Sequence, residues 1–185
     1  MKAILLSVLA AGLLTATQTF AQETAPVDAA KKGQIIMSAQ KMIVENAVQS
    51  PGLKTFTAAL KQTGVSNTLA SSGPFTVFAP TDSAFSAVPD AAQFVSAGNV
   101  TTLRKTLLHH VVTGKWTAND LQNAVNKGKG KTVLRTLTGQ NLTVTKSGDQ
   151  FVVADEKGHQ AVVEFPDQAQ KNGIVHVVSA VLMPK

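Results

Sequence analysis

Residues 73–85 read GPFTVFAPTDSAF. A glycine-proline turn opens the stretch, and Phe75 to Ala79 form a strand in which Phe75, Val77 and Ala79 share one face. Pro80 and the run Thr81-Asp82-Ser83 then have the composition of a helix start. The polar trio admits two readings. Hydroxyl and carboxylate joined by an imidazole, from His110 or His176, are the parts of a hydrolase. Alternatively, Thr81 caps a helix and Asp82 lies against its positive end, an arrangement contributing on the order of 1 kcal/mol. The absence of a G-x-S-x-G elbow favours the cap.

Toward the N-terminus, Ser50-Pro51 supplies an N-cap and a first-turn proline for a helix with Leu53, Phe56 and Leu60 on its inner stripe and Gly64 as its stop. Before it, Ile35, Ala39, Met42, Ile43 and Ala47 recur with helical spacing. Residues 22–33, QETAPVDAAKKG, are small and polar and read as a tether. Ahead of that lie Lys2, an apolar run from Ala3 to Leu14 too short to span a bilayer, and Thr19-Phe20-Ala21, which together predict a signal peptide cleaved after Ala21. The expected location is periplasmic or secreted, with no transmembrane span after cleavage and one domain from 34 to 185.

Toward the C-terminus, residues 99–112 read as a helix with Leu103, Leu107 and Val111 on one face and Gly114 beyond its end. Its helical wheel places His110 at the edge of the apolar stripe and His109 opposite, one inside and one outside. Thr117 and Asp120 have capping-box spacing ahead of a short helix through Leu121 and Val125. From there β-branched runs dominate: 133–137, 142–145, 151–153, 161–165 and 174–182, with Ser147-Gly148-Asp149 and Lys157-Gly158 as hairpin connections. Helices first and strands last indicate an α+β domain.

The chain has 185 residues, a formal charge of +6 and no cysteine. Disulfides, thiolate metal sites, thiol nucleophiles and a lipidated cysteine are thereby excluded. Stability must come from a core, and the 44% hydrophobic content supplies one.

Three segments in order, FTVFAPTDSAF (75–85), LLHHVVTG (107–114) and NGIVHVVSAVLMP (172–184), resemble the motifs of fasciclin-type (FAS1) domains. The resemblance covers the chain from about residue 34. It implies two β-sheets forming a wedge or sandwich flanked by a layer of α-helices, and a secreted binding or adhesion module without enzymatic activity or cofactor. The family-motif positions are Thr81, Asp82, Phe85, His110, Asn172, Gly173 and His176, with structural roles expected. Two departures stand out. His109 occupies the place of a common tyrosine, and Asp167-Gln168 lacks the isoleucine of the aspartate-isoleucine pair linked to integrin recognition in animal members.

Four histidines, His109, His110, His159 and His176, could hold a metal, but adjacent histidines diverge on a helix and no H-E-x-x-H occurs. His110 and His176 are instead expected to be buried, neutral and hydrogen-bonded. The segment NKGKGKTVLR (126–135) is the most basic. It imitates a phosphate loop at Gly130-Lys131-Thr132 but has Val125 where glycine is required. Lys127, Lys129, Lys131 and Arg135 are the candidates for binding an anionic polysaccharide or lipid, the competing reading being an ordinary solvated flexible loop. With one tryptophan, Trp116, and no tyrosine, nucleic-acid recognition gains no support. Trp116 itself reads as a boundary packing residue, and the sequon Asn141-Leu142-Thr143 as incidental in the bacterial context that the short, simple leader suggests. The expected partner is an envelope or matrix protein or polysaccharide, and a monomer is compatible with every feature.

Overall fold

The computed structural model describes residues 37–71 and 73–185. The leader, the tether and the first apolar position, Ile35, lie outside them. In chain order come α1 (Ile43–Gln49), α2 (Lys54–Thr63), α3 (Val65–Leu69), β1 (Phe75–Pro80), α4 (Asp82–Ser86) and α5 (Ala91–Phe94). They are followed by a 3-10 turn (Ala97–Asn99), α6 (Val100–His109), β2 (Val111–Thr113), α7 (Ala118–Lys127), β3 (Lys131–Arg135), β4 (Asn141–Ser147), β5 (Gln150–Ala154), β6 (Gln160–Gln170) and β7 (Gly173–Val178). Helices crowd the first part and strands the last, which is the α+β order.

The strands lie in the order β2-β1-β7-β6-β5-β4-β3. Among the described strands only β1 and β7 pair in parallel, with Phe78 opposite His176. The two expected sheets are halves of one ladder that share β6. Its start pairs with β5 (Val152 opposite Val162), and its end pairs with β7 (Gln170 opposite Gly173). Register shifts after Val163 and Phe165 mark bulges, which bend a strand and raise its twist, so β6 can serve both halves. At the far ends Val112 bridges Thr136, and Leu137 N–H donates to Val111 O at 2.8 Å. The sheet thus closes on itself.

Alternation decides what fills it. Leu142, Val144, Phe151, Val153, Ala161 and Val163 point inward, where they meet Phe78, Leu121, Val125 and Leu182. β1 and β7 are buried on both faces. Val77, Ala79, Val175 and Val177 turn the other way, onto a helical layer that contributes Phe56, Leu60, Leu103 and Leu107.

Several boundaries differ from expectation: α1 begins only at Ile43, leaving Ala39 and Met42 outside it, and the strand expected over 133–137 runs Lys131–Arg135, where its pairing with β4 lies. The helix expected over 99–112 stops at His109, because Val111 to Thr113 pair antiparallel with β1 (Val77 opposite Val111) and strand pairing of β-branched residues overrides the helical period. Ser50 does not cap α2. The helix starts later, behind a turn closed by Leu53 N–H to Ser50 O, and the Ser50 hydroxyl donates back to Asn46 O at 2.9 Å. The strand expected through residue 182 ends at Val178, since beyond Ser179 the backbone finds side-chain acceptors in place of a neighbouring strand. The capping box forms as read: Thr117 accepts Asp120 N–H, and the Asp120 carboxylate accepts Thr117 N–H, both at 3.0 Å.

Candidate functional site

The three motif segments converge on β1 and β7. Thr81 Oγ1 accepts the Ala84 N–H at 3.2 Å and caps α4. Asp82 acts elsewhere. Its carboxylate accepts the N–H groups of Thr55 at 2.7 Å and Lys54 at 3.3 Å, so it caps α2, the helix whose own N-cap, Leu53, has no oxygen to offer. Ser83 is exposed, Phe85 is buried in the helical core, and no histidine bonds to the trio among the described residues.

Asn172 joins three elements. Its Oδ1 accepts Ile43 N–H at 3.0 Å, its Nδ2 donates to Leu69 O at 2.5 Å, and its backbone oxygen accepts Phe75 N–H at 3.1 Å. The start of α1, the end of α3 and the start of β1 are thereby held at one turn. Gly173 stands opposite Phe75, where a Cβ would overlap the Phe75 carbonyl oxygen, so only glycine allows the strands their spacing.

The two motif histidines are fully buried and adopt opposite neutral tautomers. His110 Nδ1–H donates to Thr106 O at 2.8 Å, while Nε2 accepts Leu182 N–H at 3.0 Å. Burial pushes its pKa down to about 4. His176 Nδ1 accepts Asp167 N–H at 3.2 Å, so Nε2 carries the proton and donates to Trp116 O at 2.7 Å. Its ring stacks on Phe78 with centroids 5.5 Å apart, and burial lowers its pKa also.

His109 corrects the helical wheel. It is fully buried, not outside, because the chain turns into β2 immediately after it and the 136–138 segment covers the ring. Nδ1 lies 3.3 Å from Thr138 Oγ1, Nε2 has no partner among the described residues, and desolvation lowers its pKa.

Asp155 belongs to none of the motif segments, yet it organises the C-terminal segment. One carboxylate oxygen accepts the N–H groups of Lys157 (2.8 Å) and His159 (2.9 Å). The other accepts Met183 N–H (2.8 Å) and faces His159 Nδ1 (2.7 Å). Desolvation opposes its ionisation, but these bonds outweigh it and hold the pKa below the usual carboxylate value. The spacing D-x-K-G-H was the available signal, an Asx-type turn closed on its own backbone. Among the described residues, no group of three or more histidine and acidic side chains is placed to hold a metal.

The basic stretch is not a flexible loop. Lys127 ends α7, Lys129 (φ 54°) and Gly130 (φ 97°) form a turn closed by Gly130 N–H to Val125 O at 2.9 Å, and Lys131 and Arg135 lie on β3. Alternation puts Lys131, Val133 and Arg135 on one exposed face. The four cations are exposed and none has an ion-pair partner among the described residues.

A family model of the fasciclin domain matches residues 51–184. Protein sll1483 of Synechocystis sp. is 35% identical over 77% of this chain and 73% of its own length. Immunogenic protein MPB70 of Mycobacterium bovis is 31% identical over 78% of this chain and 70% of its own. A solved FAS1 domain pair from the insect cell adhesion molecule fasciclin I superposes with a TM-score of 0.68 at 19% identity, covering 78% of this chain and 51% of that one. This chain therefore spans about half of that two-domain structure and shares its fold. With the motif segments meeting at the β1–β7 pair and the model matching most of the length, the chain belongs to the fasciclin domain family.

Proposed function

We propose that this chain is an exported, noncatalytic binding or adhesion module working at a bacterial envelope or matrix. The observation that carries the reading is the occupation of the motif side chains. Asp82, His110, Asn172 and His176 each bond to a backbone group of another segment and Thr81 caps its own helix, so the carboxylate and imidazoles a hydrolase would need are engaged in construction. What faces solvent is surface for recognition. The description of fasciclin I as a cell adhesion molecule supports the class of function, and the apolar run at 3–14 supports export. No described helix is long and apolar enough to cross a membrane.

The test is a deletion strain compared with its complemented parent in a surface-attachment assay, together with capture of envelope components by the purified protein. Unaltered attachment combined with empty captures would overturn the reading. A second reading, electrostatic binding of anionic polysaccharide or lipid through Lys127, Lys129, Lys131 and Arg135, is favoured by their lack of ion-pair partners among the described residues. It requires capture to fall steeply with added salt and with substitution of the three lysines.

A further inference from the structure

Between the end of β2 and the outer side of α7 lies a cleft of about 610 Å³, lined among others by Thr113, Lys115, Trp116, Asp120, Asn123 and Lys127. Its size falls within the roughly 300–1,000 Å³ of small-ligand sites. Trp116 is held in place by its backbone. Its N–H donates to Thr76 Oγ1 at 2.9 Å, and its carbonyl accepts from His176 Nε2. The indole packs against the sheet interior while also lining the cleft, and its Nε1–H has no partner among the described residues. Gly114, at φ 94°, takes the left-handed backbone that turns the chain from β2 toward the indole.

The charges around this ring are unbalanced. Asp120, the acid in the lining, is engaged by Thr117 N–H at 3.0 Å and Thr117 Oγ1–H at 2.6 Å in the capping box. Lys115 and Lys127 are exposed without an ion-pair partner among the described residues, and the side chains of Thr113 and Asn123 have no hydrogen bond there. A half-buried indole, two ammonium groups, a carboxamide and a hydroxyl are therefore available to one ligand.

We propose that this cleft binds an acidic saccharide, with the apolar face of a sugar ring on Trp116, its carboxylate between Lys115 and Lys127, and its hydroxyls on Asn123 and Thr113. The inference rests on reading the chain as a binding module and names that module's ligand class. Apolar C–H groups suit the indole face, and its N–H suits a ring hydroxyl. A phosphate would gain most from a helix N-terminus, but that of α7 is filled by Thr117, Asp120 and Asp167, and the end nearer the cleft's Lys127 is the C-terminal one. The ammonium of Lys127 is well placed there, and a singly charged carboxylate asks less of the site than a dianion.

Because Trp116 is the only tryptophan and the chain has no tyrosine, intrinsic fluorescence reports this ring alone. The full chain is titrated with tetragalacturonate and, in parallel, with neutral maltotetraose. A saturable change in emission with tetragalacturonate alone is expected, weakening about tenfold in the Lys115→Ala/Lys127→Ala double variant, whose positions are exposed. Calorimetry on Trp116→Ala, with Trp116→Phe retaining part of the affinity, checks the ring itself. Equal binding of maltotetraose overturns the proposal. So does tetragalacturonate binding that leaves both the emission and the double variant's affinity unchanged, although the module reading would survive with its site elsewhere. Absence of any tetragalacturonate binding beside successful envelope capture also sinks the cleft and spares the module.

Discussion

Asp167 gives its backbone N–H to Nδ1 of His176 at 3.2 Å, and its carboxylate accepts the N–H of Ala118, at the start of α7, at 2.7 Å. One residue in a bulge of β6 therefore selects the tautomer of a buried histidine and caps a helix 49 positions away in sequence. The aspartate that the family resemblance aligns with an integrin-recognition position is here a joint between strand and helix.

Replacing Asp167 by alanine removes the oxygen at Ala118 and asks a Cβ-bearing residue without a local side-chain bond to hold φ 55°. A loss of about 1–3 kcal/mol is expected. The Asp167→Asn variant, which retains an acceptor and tolerates this backbone, should lose less. Chemical denaturation of the two variants checks the order, and equal losses would refute the capping role.

His110→Ala and His176→Ala should each lower thermal stability. His110→Ala leaves the buried Leu182 N–H without its acceptor, and His176→Ala leaves the Asp167 N–H and the Trp116 carbonyl without theirs, at a cost of about 1–3 kcal/mol in each variant. Unchanged melting temperatures in both would contradict the bonds that Leu182, Thr106, Asp167 and Trp116 make to these rings.

Stability should fall with acid. His109, His110 and His176 have folded pKa values below the ordinary 6.5, so below that pH the unfolded chain binds more protons than the folded one. Their contribution is complete above about pH 6.5 and is lost as pH falls, for His110 down to about 4. His110 alone accounts for roughly 3 kcal/mol over that window. Denaturation midpoints measured from neutral pH down to pH 4 check this, and a flat profile would count against all three being buried neutral.

Asp82→Ala should cost about 1–2 kcal/mol by uncapping α2, whereas Ser83→Ala should leave stability within about 0.5 kcal/mol. The contrast separates construction from catalysis. A hydrolytic activity abolished by Ser83→Ala would overturn the noncatalytic reading.

His109→Phe should hold or raise stability, by up to about 1 kcal/mol. It removes a buried Nε2 that has no partner among the described residues, while Thr136 Oγ1 keeps its bond to Gln140 O at 2.9 Å. A large loss in thermal denaturation would mean that the ring nitrogen has a bonding role.

Local chemistry was legible and distant chemistry was not. Thr81 and the Thr117–Asp120 box could be read because donor and acceptor lie three residues apart. The burial of His110 and His176 followed from the apolar runs around them. Asp82 could be placed at a helix start, but not at the start of α2, because its partners precede it by 27 and 28 positions. The wheel misplaces His109 because it sees only the face turned to the helical core, whereas the 136–138 segment, distant in sequence, covers the other side of the last turn of α6. The cleft beside Trp116 depends on α7 folding back next to it, which no spacing in the sequence reveals.

The bridge from Val112 to Thr136 bears on how copies of the domain meet one another. Open sheets offer unpaired backbone to any passing strand, and a chain without cysteine has no covalent lock against opening. Here the two outermost strands meet, α7 flanks β3, and Lys131 stands at the edge that remains. Neighbouring copies therefore find little free backbone on which to stack strand against strand.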